Sequence, residues 1–126
     1  MTPVLAVALG GALGSVARYL LVGQMARWLG PAFPWGTLVV NVVGGLVIGL
    51  LAEAMALKWP VSPETRLFLI TGVLGGFTTF SAFSLEAVAL VERGAFGAAL
   101  AYVAASVVLS VGAVLVGFAL VRGAVG

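Results

Sequence analysis

The stretch "GGFTTFSAF", residues 75–83, decides the fold. It places two adjacent glycines, two threonines, a serine and three phenylalanines inside a long apolar run between Arg66 and Glu86. In a helix, Gly costs about 1 kcal/mol relative to Ala, and β-branched Thr is also disfavoured. Threonine hydroxyls can take over backbone partners that a broken helix releases. Two readings are open at this point. In one, the helix breaks near Gly75–Thr79, about midway along its segment, and exposes carbonyls that can hold a cation. In the other, the helix runs straight, packed through its glycines, with back-bonded threonines.

The rest of the chain says which solvent surrounds this stretch. Of 126 residues, 63% are hydrophobic and 8% charged, against roughly a quarter charged in a soluble domain. That is membrane composition. Cys, His and Asp do not occur, which excludes disulfides, Cys/His zinc sites and His-based triads. No nucleophile–base pair or phosphate loop is present, and nothing supports an enzyme. The six basic residues are scattered, so no patch would grip nucleic acid.

A helix crossing the hydrocarbon core needs about 20 apolar residues. Four segments qualify, at about 3–25, 35–57, 66–91 and 95–121, and together they predict one all-α transmembrane domain over residues 1–126. The N-terminus lacks a charged leader and a cleavage site, so the first segment reads as a retained helix. The connections are short. In "KWPVSPET" (58–65), Ser62 is placed to cap the third helix with Pro63 at its first position.

With the N-terminus inside, Lys58, Arg66 and Arg122 fall on the inner side and Arg18, Arg27 and Arg93 toward the outer. The positive-inside rule has almost nothing to act on. Either the chain has too few charges to orient, or it inserts both ways and pairs with an inverted copy. Gly10/Gly14, Gly45/Gly49 and Gly72/Gly76 form small-residue pairs that let helix backbones approach. Four helices enclose little interior, so a transport path needs a second subunit.

Polar groups within a membrane usually face an interior or a water path. Phe80, Phe83 and Glu86 recur at i, i+3, i+6 on one helix face, with Ser81 and Ser84 nearby. The edge of a phenyl ring is electropositive and can meet a desolvated anion without a fixed charge that would trap it. Asn41 shares a face with Thr37 and Gly45, where Asn also serves as interhelical glue. Tyr102, Ser106 and Ser110 repeat at four-residue spacing as a hydroxyl stripe. Arg18, near the end of the first helix, can snorkel; Glu53 and Glu86 lie toward helix ends.

These segments resemble the CrcB/Fluc fluoride channel family. The matching motifs are "GGALGSVARY" (10–19), "WGTLVVNVVGG" (35–45), "GGFTTFSAFSLE" (75–86) and "YVAASVVLS" (102–110), one per membrane segment and in order. The resemblance implies a fluoride-selective passive channel that lets cytoplasmic fluoride leak out of a prokaryotic cell through its inner membrane. It implies an antiparallel, dual-topology homodimer with two pores and a structural Na+ on the twofold axis. By position, the main-chain carbonyls of Gly75 and Thr78 would hold Na+. Phe80 and Phe83 would contact fluoride, and Asn41 would be the pore amide. Tyr102, Ser106 and Ser110 would form a polar track with Glu86 near one end, and Arg18 would be a vestibule or structural charge. The family often has Ser-Thr-Phe where this chain has Ser81-Ala82-Phe83. The rival readings are a small proton-coupled multidrug exporter of dual topology, which needs a deep titratable carboxylate (Glu53 or Glu86), and a membrane scaffold without transport.

Overall fold

The computed structural model describes residues 2–126, and among them the regular structure is entirely helical. Helix α1, Pro3–Leu29, starts where the Thr2 hydroxyl accepts the Leu5 amide at 3.1 Å and proline opens the first turn. It ends at Gly30, whose φ of 81° lies where a side chain would be strained. Helix α2 covers Trp35–Leu57. Helix α3, residues 63–77, opens with Ser62 accepting the Thr65 amide at 3.2 Å, with proline at the first helical position. Helix α4, Phe80–Glu92, continues the same span after an interruption. A three-residue connection with Gly94 at φ 80° leads into α5, Phe96–Val125.

The four spans are Pro3–Leu29, Trp35–Leu57, Pro63–Glu92 and Phe96–Val125, all long and apolar enough to cross a membrane. The second coincides with the sequence pattern, whereas the other three run longer than it marks, because polar and charged residues at the ends continue the backbone ladder. The fourth thereby takes in Arg122 in its last turn, although its apolar stretch is free of charge.

Within α3, residues Leu67–Leu74 form a π-helix, and the Gly75 amide donates to the Ile70 carbonyl five residues back. Such segments are rare and cluster at functional positions. Nothing in residue spacing signals it.

The helices pack as two close pairs, α1 along α3 and α2 along α5, with α1 also touching α2; α4 leans on α5. Glycine makes both pairs possible. A Cβ on Gly76 would sit 2.7 Å from the Gly11 carbonyl oxygen, and Gly10 and Gly14 press still closer on the backbone of Phe68 and Val73. On the other pair, a Cβ on Gly45 would lie 2.7 Å from the Ser110 carbonyl oxygen and one on Gly49 2.5 Å from that of Val114. All three glycine pairs seen in the sequence are therefore used inside the chain, as close backbone contacts between its own helices. One end of the α2–α5 pair is tied by the buried Glu53, which accepts from Arg122 Nε.

The buried core is small, and its connected cluster is Leu38, Phe83, Leu90, Ala99 and Tyr102. Up to the arginines of their last turns, Arg27 and Arg122, the outward faces of α1 and α5 are largely apolar, as a surface meeting acyl chains or another apolar face requires.

Candidate functional site: a clamped helix break beside a hydroxyl-lined groove

The third span breaks at Thr78 and Thr79, whose backbones are extended (φ −92°, ψ 160° and φ −154°, ψ 120°). Each threonine uses its hydroxyl on the main chain. Thr78 donates from both its amide (3.0 Å) and Oγ1 (2.9 Å) to the Leu74 carbonyl, closing α3. Thr79 Oγ1 accepts the Ala82 amide at 3.1 Å and caps α4.

Two other helices hold the break open. From α2, Asn41 pairs with both polar groups of one peptide residue: its Nδ2 donates to the Thr79 carbonyl at 3.0 Å and its Oδ1 accepts the Thr79 amide at 2.8 Å. From α1, Arg18 Nε donates to the Gly76 carbonyl at 3.0 Å. The consequence appears in the carbonyls left over. In an unbroken helix the Thr79 amide would bond the Gly75 carbonyl, and here it goes to Asn41. The Ala82 amide would bond the Thr78 carbonyl, and here it goes to Thr79 Oγ1. Gly75 is exposed and Thr78 half-buried.

Beside the break, α2, α4 and α5 enclose an open groove of about 380 Å³. Asn41, Thr78, Phe80, Phe83, Ser106 and Ser110 all line it, so six of the residues singled out from sequence meet in one place. Phe83 is buried, whereas Phe80 is 78% exposed at the groove's open side. Their rings lie 5.4 Å apart at 51°, a tilted arrangement. The Oγ atoms of Ser106 and Ser110 are buried and have no hydrogen-bond partner. A buried hydroxyl without a partner costs about 1–3 kcal/mol, so these two are the most informative atoms in the groove. No charged side chain lines it.

A second cavity, about 270 Å³, opens at the far end of α4 beneath the 30–34 loop and is lined by Trp35, Thr37, Glu86 and Arg93 among others. Between the two cavities stands Tyr102, fully buried, its ring centroid 5.2 Å from that of Phe83 and its hydroxyl donating to Glu86 Oε1 at 3.1 Å. Tyr102 and Glu86 thus continue the line of groove residues toward the second cavity. The Arg93 guanidinium donates to the Ala32 carbonyl and holds the loop against this mouth.

Arg18 lines neither cavity, because its guanidinium approaches the break from the α1 side. Ser84, marked for its place near the phenylalanines, donates to the Phe80 carbonyl at 2.9 Å and does not serve the groove. Thr79 was missed from sequence as a site residue. The signal for it was present: an asparagine at mid-span opposite a broken helix has two free backbone groups to satisfy. Glu53 and Glu86 are each engaged, Glu53 by Arg122 and Glu86 by Tyr102.

Comparison with known proteins gives this arrangement a family. The family described as CrcB-like protein, Camphor Resistance (CrcB), matches residues 5–118. A protein of Rhodospirillum centenum called Fluoride-specific ion channel FluC is 58% identical over 125 residues, covering 99% of each chain. A protein of the same name from Nitrobacter winogradskyi is 54% identical over 121 residues, 96% of each. One from Rhizobium etli is 63% identical over 117 residues, 92% of this chain and 93% of that one. With its four apolar spans, its interrupted third span and a match over nearly its whole length, the chain belongs to the CrcB family.

Proposed function

We propose that the protein is a fluoride-selective passive ion channel that lets cytoplasmic fluoride escape and so limits its toxicity. The observation that carries this reading is the pair of buried, unpartnered hydroxyls, Ser106 Oγ and Ser110 Oγ, in a groove walled by Phe80 and Phe83. A small anion must exchange its hydration shell for donors along the way. The serine hydroxyls supply O–H donors and the phenyl edges supply positive electrostatic potential. The groove has no fixed charge that would hold the ion, which suits entry followed by exit. Relatives at 54–63% identity that carry the name of fluoride-specific ion channel support the same reading.

The working unit we propose is an antiparallel homodimer of dual topology in the plasma membrane of a bacterium, with two pores. The groove's open side, where Phe80 stands exposed, supports a second copy as its missing wall. The balanced basic residues support insertion in both orientations.

A structural Na+ fits the break. Its donors would be the Gly75 and Thr78 carbonyls, two neutral oxygens deprived of their helical partners, and hard-oxygen donors suit an alkali cation. Among the described residues, no group of His, Cys, Asp or Glu would favour another metal. When bound, the ion would supply a positive charge to carbonyls that have lost their helical donors. The residues of this chain do the rest: Asn41 and Arg18 hold the break open, and Thr79 starts α4 so that both rings reach the groove.

The proton-coupled exporter is not favoured, because the relatives that match nearly the whole chain carry the name of fluoride-specific ion channel. Efflux from proteoliposomes followed with fluoride and chloride electrodes tests the proposal. Wild-type protein should release fluoride and retain chloride. Phe83→Ile should cut fluoride release sharply while the protein elutes from a sizing column unchanged. Equal release of both halides, or unaltered fluoride release by Phe83→Ile, contradicts it.

A further inference from the structure

We propose that Arg18 sets the valence of the cation at the helix break, admitting a monovalent ion and excluding a divalent one; this rests on the cation reading above. Arg18 comes from α1 and inserts at the end of α3, where its Nε occupies the Gly76 carbonyl. That carbonyl lies one residue from Gly75 and two from Thr78, the pair left without helical donors. The neighbouring carbonyls are already engaged, Leu74 by Thr78 and Thr79 by Asn41. Arg18 therefore removes one more oxygen from the set a cation can reach. It also places a permanent positive charge beside the remaining two.

That charge is not balanced. The ion pair among the described residues joins Glu53 to Arg122, and none involves Arg18. Its guanidinium is half-buried between apolar helices, where screening is weak. A fixed charge opposes a bound divalent ion twice as strongly as a monovalent ion at the same place. Divalent sites normally answer with carboxylates, and the break offers only neutral carbonyls. Arginine suits this task because it stays charged at any working pH and its planar fork keeps the charge at the carbonyl.

Equilibrium dialysis of purified protein in detergent, with radioactive sodium competed by calcium chloride, separates the outcomes. Wild-type protein should retain sodium against a large excess of calcium. Arg18→Gln, which keeps a donor for Gly76 without the charge, should yield its sodium at a calcium concentration at least about tenfold lower. Arg18→Lys should keep the wild-type discrimination. Unchanged competition in Arg18→Gln overturns the inference and leaves the cation reading intact. So does wild-type protein that holds calcium as tightly as sodium, a result that needs no variant to fold. Wild-type protein that retains no sodium overturns the cation reading itself, and this inference with it.

Discussion

Ser106 and Ser110 carry opposite obligations to folding and to transport. Serine in a membrane helix commonly bonds its own helix four residues back. Here neither Oγ has a partner, although both are buried. An ion that accepts from the hydroxyls would supply both with a partner. Ser106→Ala is therefore expected to leave the thermal unfolding midpoint in fluoride-free detergent unchanged or slightly raised, while fluoride efflux slows. Loss of stability together with unchanged efflux would assign Ser106 to packing. Asn41 is the contrasting residue. Its amide oxygen and one of its amide hydrogens are committed to Thr79, so it acts first as a strut and brings only its remaining N–H to the groove. Sequence spacing put Asn41 on a face with Thr37 and Gly45, and could not say that the peptide it serves lies 38 residues away.

At the scale of helices, glycine decides which pairs form. The α1–α3 contact brings backbone against backbone, and a methyl group on Gly14 would overlap the Val73 carbonyl. Because that obstacle is main chain, it cannot swing aside as a side chain would. Overpacking of a tight contact typically costs about 1–3 kcal/mol, and main-chain overlap lies at the high end. Gly14→Ala should therefore lower the unfolding midpoint markedly and displace the break that Arg18 clamps. Gly11→Ala, three residues earlier on the same helix and facing open space, should do neither. Equal behaviour of the two variants would show that α1 and α3 do not pack as described. The Glu53–Arg122 pair at the other end is a weaker tie, since the arginine side chain is 62% exposed and such pairs contribute little.

For the whole molecule, the open question is what covers its apolar faces. Leu100, Val107, Val108, Val111 and Leu115 along α5 are all exposed, as is Phe80 at the groove. Lipid can cover an aliphatic face, but lipid at the groove would leave the serine hydroxyls without donors or acceptors. A second chain, inverted, would supply both a wall and symmetry. Since the chain has no cysteine, Gly126→Cys introduces a unique thiol at the end of α5. In inside-out and right-side-out vesicles, a membrane-impermeant maleimide should label about half of the chains from each side, as near-balanced charge predicts. Labelling confined to one side would refute dual topology.

What the amino-acid order determined by itself was the solvent and the skeleton: four apolar spans, the stretch of the third where helix propensity is weakest, and which polar residues fall within those spans. Those properties are local. They follow from apolar run length, from the helix propensity of Gly and Thr, and from the cost of polar groups in hydrocarbon, all of which act within a few residues along the chain. Only the tertiary structure decided between a broken and a straight third span, because the break is held by Asn41 and Arg18 from two other helices. It alone revealed the π-helical turn, the use of the glycine pairs within one chain, and the two hydroxyls left without partners. The reason is that hydrogen-bond satisfaction is settled between elements. A residue's own sequence neighbours state what it can donate or accept, and the packing of distant helices states whether anything is there to receive it.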